Sequence, residues 1–289
     1  MLLDRLSSSL AFRFSANRRR IARRWRRLGD AARPRPESKY SRFARELEAC
    51  AGGLEGKRLL EIGSDPQGNL LRECVERGKV SSAVGVNPAL TKNSESGSLK
   101  LLAVDARKLP FPDASFDVAA SLSVFEHVFD LPAVLEECHR VLRPGGVLVA
   151  EFGPIWSSAW GHHLWLYHGG EVVDWRTHPL PPYAHLLMTA AELEAWCSEH
   201  YGDVELSRKI VSFVFESDGQ NKLFFSDYQD IIGRSSFTEI FLVGAPDVPF
   251  PAVTPQADYA RTFAQLRRTC PDKSGFGYHL VSTMLEKVV

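Results

Sequence analysis

Between residues 58 and 152, short apolar runs alternate with segments whose apolar positions recur every three or four residues. The runs at Arg58–Ile62, 83–86, 101–104, 116–121 and 147–152 have the length of strands buried on both faces. Leu131, Val134, Leu135, Cys138, Val141 and Leu142 share one face of a predicted helix over 131–142. Arg143-Pro144-Gly145-Gly146 then breaks it. Further helices are predicted over 40–51 and 70–77, and further strands over 239–243 and 278–285. The alternation predicts an α/β fold: a doubly wound, mostly parallel, Rossmann-like seven-stranded sheet with helices on both faces.

The pattern changes at Gly153. Residues 153–188 are rich in Trp, His, Tyr, Gly and Pro and read as irregular. Thr189 followed by Glu192 forms a capping box for a helix over 189–200. Residues 204–215 read as strand-like, and 228–232 as helical. The expected organisation is a basic leader (1–38) and a main domain (39–289). Within the latter, 57–152 is the core, 153–225 an insertion after strand five, and 226–289 the C-terminal strands.

Parallel strands bring their carboxyl ends to one crevice, where such sheets bind ligands. The first strand ends Leu60-Glu61-Ile62-Gly63. Gly63 permits close backbone approach. Glu61 suits hydroxyls or an ammonium rather than a phosphate, and the glycines of a phosphate cradle are absent. Asn87 ends the second strand, Asp105 and Ala106 follow the third, and Ser121 ends the fourth.

Charge and cysteine content narrow the setting. The formal net charge of the 289 residues is zero, yet eleven arginines lie between Arg5 and Arg35, opposed only by Asp4 and Asp30. The leader is open to four readings: a solvated helix, an amphipathic helix on an anionic membrane or partner, a targeting segment, or a nucleic-acid contact. The rest is acidic, which opposes nucleic-acid binding. Five scattered cysteines without a CxxC pair suggest reduced thiols in the cytoplasm, with peripheral membrane contact through the leader as an option.

Five segments in order resemble the class I S-adenosylmethionine-dependent methyltransferases of the small-molecule branch. They are Leu60-Glu61-Ile62-Gly63, the run from Asp105 to Phe111, Phe116-Asp117, Phe125-Glu126-His127-Val128, and the run from His139 to Gly146. The resemblance implies S-adenosylmethionine as cofactor. Glu61, Gly63 and Ser64 would lie by its methionine part, Asn87 by the ribose, Asp105 and Ala106 by the adenine, and Ser121 by the sulfonium. Asp65 stands where the family usually has glycine, and Asn87 where it usually has an acid.

The implied reaction is methyl transfer, expected at oxygen, to a small-molecule or glycan acceptor. A hydroxyl acceptor needs its proton removed. Five of the nine histidines lie between 162 and 185. His162 and His163 are the candidate general bases; metal ligation and structural cover of the sheet are their other readings, and no metal is expected. Glu126 and His127 are expected chiefly to orient the loop after strand four. The alternative function is a catalytically degenerate binding or scaffold protein on the same fold.

Overall fold

The computed structural model describes residues 37–246 and 259–288. The Arg-rich part of the leader, residues 1–36, lies outside them. The helices are α1 (Lys39–Cys50), α2 (Asn69–Gly78), α3 (Leu131–Val141), α4 (Ala184–Leu187), α5 (Ala190–Tyr201), α6 (Val204–Glu216), α7 (Phe225–Arg234) and α8 (Tyr259–Thr269). The strands are β1 (Arg58–Ile62), β2 (Ser82–Val86), β3 (Ser94–Ser96), β4 (Leu99–Leu102), β5 (Phe116–Leu122), β6 (Leu142–Phe152), β7 (Trp165–His168), β8 (Glu171–Asp174), β9 (Thr238–Pro246) and β10 (Tyr278–Glu286).

Eight strands form the main sheet in the order β3-β4-β2-β1-β5-β6-β10-β9. The five from β4 to β6 are mutually parallel; β10 runs antiparallel to both β6 and β9, and β3 antiparallel to β4. Seven strands were expected. The eighth, β3, is a three-residue polar edge strand with every residue exposed, so it carries no hydrophobic signal.

Side-chain alternation splits the core in two. Leu60, Ile62, Val84, Ala119, Leu148 and Ala150 face α3 and α7. Leu59, Ala83, Val118, Ala120, Val147 and Val149 face α1 and α2. Glu151 shares the second face and would be a buried charge there. Arg42 of α1 meets both its oxygens and also bonds Glu46. This ion-pair cluster docks α1 on β6.

The Phe116-Asp117 and His139–Gly146 motifs serve the opposite, amino-terminal end of the sheet. Asp117 accepts from Arg58 and Arg143. Arg140 bonds Glu137, Asp113 and the Leu109 and Phe111 carbonyls. These residues hold strands and crossovers in register and stand away from the carboxyl-end crevice.

The segment after β6 builds a small core of its own from Leu164, Val173, Leu193, Cys197, Leu206, Ile210 and Val214. Two expectations change here. Residues 204–215 are helix α6, not strand. Asp203 caps it by accepting from the Leu206 amide, and its buried positions Leu206, Ser207, Ile210 and Val214 follow the helical period. Packing against the satellite core selects the helical period here. The stretch read as irregular contains the β7–β8 hairpin, closed by Gly169 and Gly170, both at positive φ as a two-residue hairpin turn requires. A smaller shift affects the third strand, expected over 101–104 and found at Leu99–Leu102. The capping box at Thr189 and Glu192 forms as expected.

Removing Arg42 leaves the buried carboxylate of Glu151 without its partner. Breaking a fully buried pair costs about 3–5 kcal/mol; a guanidinium that is one-third exposed lowers the expectation to about 2 kcal/mol for Arg42→Met. Urea denaturation at pH 7 measures this. A loss below about 0.5 kcal/mol, typical of a surface pair, would refute the docking role.

Candidate active site

The carboxyl ends of β1, β2, β4 and β5 open on a cavity of about 520 Å³ lined by Gly63, Asn87, Asp105, Ala106, Val124 and His127, among others. It lies where the strand order reverses beside β1, the usual ligand position in open α/β sheets. Gly63 has φ +79°, and a Cβ there would fall 2.2 Å from Val124 Cγ2. Only glycine lets the segment after β5 pack this closely on the β1 turn.

Of the residues expected to hold a cofactor, Gly63, Asn87, Asp105 and Ala106 line this cavity. Glu61, Ser64 and Ser121 are buried behind it. Ser121 donates to the Ile62 carbonyl. Ser64 accepts, through its carbonyl, a bond from the Asn87 amide. Glu61 is 3% exposed and its Oε2 accepts no hydrogen bond. Burial pushes its carboxyl up to about 7. A buried acceptor left open beside the Gly63 turn fits a ligand that brings an ammonium group, as the methionine part of S-adenosylmethionine does.

The departures at Asp65 and Asn87 acquire physical reasons. Asp65 accepts from the Gln67 and Asn69 amides and from the Asn69 side chain, so it caps α2. The left-handed positions of this turn are Gly63 and Gly68. Asn87 spans the β1 and β2 ends: its amide nitrogen donates to Ser64 and its oxygen accepts from Ala89. An acid could not make the first of these bonds. Asp105 accepts from the Arg107 amide and guanidinium, which holds its carboxyl below the usual range.

A second cavity of about 210 Å³ adjoins His127 and is lined by His162, His163, Trp156, Phe213, Gln220 and Lys222, among others. His127 therefore borders both cavities. It sits on a 3-10 turn, Phe125–His127, directly after β5. Its Nδ1 lies 2.5 Å from the Gly219 carbonyl oxygen, so Nδ1 is the protonated nitrogen and Nε2 keeps its lone pair. Nε2 is 4.0 Å from Glu126 Oε1. Burial raises the Glu126 carboxyl, whose Oε1 accepts the Gly153 amide.

His162 and His163 lie beside His127 in the wall of the smaller cavity, and the rings of His163 and His127 meet edge to face at 5.4 Å. His162 Nδ1 accepts from the Leu164 amide, which places its proton on Nε2. That Nε2 has no partner. His163 Nε2 donates to the Pro154 carbonyl, and burial with the nearby His127 pushes its imidazole down to about 3. His168 is elsewhere: it pairs with Asp203 and ties β7 to α6.

One loop joins the two cavities. The Asn221 backbone donates to the Glu126 carbonyl, and its side-chain amide donates to the Phe125 and Val128 carbonyls. Its oxygen accepts from Leu223 and Tyr228. Asn221 carries no sequence signal, because it reaches the 125–128 turn only across more than ninety residues; Gln220 and Lys222 meet Pro154 and Trp156 of the inserted segment. The missed signal for His127 was its place directly after a parallel strand's carboxyl end.

Residues 60–150 match the family described as a methyltransferase domain. The malonyl-[acyl-carrier protein] O-methyltransferase of Serratia marcescens is 32% identical over 148 residues, 43% of this chain and 58% of that protein. A ubiquinone biosynthesis O-methyltransferase of Agrobacterium fabrum is 38% identical over 105 residues, 34% and 41% of the two chains. A ubiquinone/menaquinone biosynthesis C-methyltransferase of Nitrosospira multiformis is 31% identical over 146 residues, 47% and 59%. The chain thus spans roughly half the length of the curated relatives it matches. Residues 60–150 are thus similar to methyltransferase domains, and this core has the likeness of the class I S-adenosylmethionine-dependent methyltransferases.

Proposed function

We propose that this protein transfers a methyl group to a hydroxyl of a small-molecule acceptor, with His127 taking the hydroxyl proton. The observation that carries this reading is His127 at the boundary of two cavities, one at the strand ends and one under the inserted segment. Bound S-adenosylmethionine would supply a methyl group on an already activated sulfonium. Positioning then provides most of the acceleration. Gly63, Asn87, Asp105 and Ala106 would hold the cofactor in the larger cavity, with Glu61, Ser64 and Ser121 supporting the wall. The division into a cofactor core (57–152), an acceptor-covering insertion (153–225) and C-terminal strands (226–289) accords with that assignment.

Among the three clustered imidazoles, His127 has the geometry of a base. Its proton-bearing Nδ1 is held by Gly219, and its Nε2 lone pair is free to accept. His162 presents a donor instead, and His163 is held neutral by burial. We assign these two to the acceptor wall. Among the described residues no helix is long and apolar enough to cross a membrane. The five free thiols fit a reducing compartment such as the cytoplasm.

Two measurements test this assignment. General-base removal lowers rates by about 10²–10⁴-fold, so His127→Ala should lose at least about 10²-fold in kcat while still binding S-adenosylhomocysteine in calorimetry. Near-normal turnover in His127→Ala, with large losses in His162→Ala or His163→Ala, would transfer the base role to that pair. Failure of the parent protein to bind either S-adenosylmethionine or S-adenosylhomocysteine would defeat the enzyme reading and favour a scaffold.

Glu61 provides a readout independent of turnover. Its folded-state pKa is about 7 against 4.5 ordinarily, so the folded apoprotein binds the extra proton between those values. The associated stability is full below about pH 4.5 and is lost as pH rises through 7, a total of about 3 kcal/mol. The apo Glu61→Gln variant should therefore be more stable than the parent at pH 8 and similar at pH 4.5, yet bind the cofactor more weakly. Urea titrations at both pH values measure the difference. Parallel pH profiles for the two proteins would remove the claim that an uncompensated carboxyl sits under this turn.

A further inference from the structure

The smaller cavity describes the acceptor, an assignment that rests on the methyl-transfer reading of the same site. Its size is about 210 Å³. An apolar cavity of about 150 Å³ takes one benzene molecule, so this one has room for a single six-membered ring with small substituents. Trp156, Trp165 and Phe213 supply flat apolar walls.

The polar atoms in that wall are few and specific. His162, a lining residue, is 2% exposed, and its protonated Nε2 is buried with no partner. Gln220 is 6% exposed; its amide nitrogen donates to the Pro154 carbonyl, and its oxygen has no partner. Two residues of the lining thus carry a buried donor and a buried acceptor without partners, and leaving such groups unpaired is costly. Lys222 is the one lysine or arginine among the lining residues, and no aspartate or glutamate joins it there. Its ammonium sits 5.5 Å from the Trp156 ring centroid and 3.4 Å from the Phe215 carbonyl oxygen. Asp218, its nearest acid in sequence, is exposed, and Asp227 is taken by Lys273 and the Phe224 amide.

We propose that the acceptor is a compact, single-ring hydroxylated aromatic acid. Its ring lies against Trp156 and Phe213, its carboxylate on Lys222, and its methyl-accepting hydroxyl toward His127. A sugar ring fits this wall poorly. It carries a hydroxyl on most of its carbons, and each hydroxyl buried without a partner costs free energy. Besides His127, the wall offers one open buried donor, one open buried acceptor and one cation. An aromatic acid with one or two hydroxyls matches that inventory, and its apolar faces match the tryptophans.

The test uses the full chain saturated with S-adenosylhomocysteine, with probe binding followed by ligand-observed NMR titration. The probes are 3-hydroxybenzoate, 4-hydroxybenzoate, phenol, glucuronate and methyl glucoside. A hydrogen-bonded charge pair is worth roughly a factor of ten or more. At least one hydroxybenzoate should therefore bind about tenfold or more tightly than phenol. Lys222→Met should shrink that ratio to about twofold or less, and the parent protein should transfer labelled methyl to the tighter-binding hydroxybenzoate. Equal binding of phenol and both hydroxybenzoates would overturn the carboxylate assignment. Tighter binding of glucuronate or methyl glucoside would overturn the aromatic one. Binding of S-adenosylhomocysteine without binding of any hydroxybenzoate would sink the acceptor class and leave the methyltransferase reading standing. Lys222-dependent hydroxybenzoate binding in a protein that ignores S-adenosylhomocysteine would do the reverse.

Discussion

The hydrogen bonds of Asn221 to the turn after β5 join the two halves of the candidate site. Three carbonyls of the 125–128 segment accept from this one residue. The turn belongs to the parallel core, and the loop 217–222 leaves the end of α6. Without that seam, His127 would lose the Gly219 carbonyl that sets its tautomer. Gln220 and Lys222, the neighbours of Asn221, would lose the anchor that sets them beside His127 in the smaller cavity. The larger cavity is a consequence of strand order, but the smaller one exists because the inserted segment is fastened to the core at this point.

Charge burial follows one rule with two outcomes. Glu151 sits on an apolar sheet face and is satisfied by Arg42, so it docks a helix. Glu61 sits one strand-end away from the ligand cavity and keeps an oxygen without a partner. Proteins leave few buried polar atoms unpaired, and the one at Glu61 coincides with the place where the family's cofactor would bring an ammonium. His162 and Gln220 show the same coincidence at the smaller cavity.

Residues that announce the family in the sequence divide by task. Asp117, Arg140 and Arg143 tie the amino-terminal end of the sheet, far from the chemistry. Gly63 and Asp105 line the carboxyl end. Asp65, a departure from the pattern, turns out to cap α2. The left-handed conformation falls on Gly63 and Gly68, so an acid at 65 does not strain the turn.

The sequence by itself determined the parallel core and pointed to the crevice at its carboxyl end. Continuous apolar runs, a helical period and strand-end polar residues are local signals, and parallel strands carry those residues to one edge by geometry alone. It was insufficient for α6, which read as strand-like and takes its helical period from packing against α5. It was also silent on the β3 edge, whose three exposed polar residues leave no pattern. The smaller cavity was decided by tertiary structure. His127, His162 and Lys222 lie in three separate stretches of chain, and only the Asn221 seam and the satellite core bring their side chains around one ring-sized space. No local periodicity encodes a contact made across more than ninety residues.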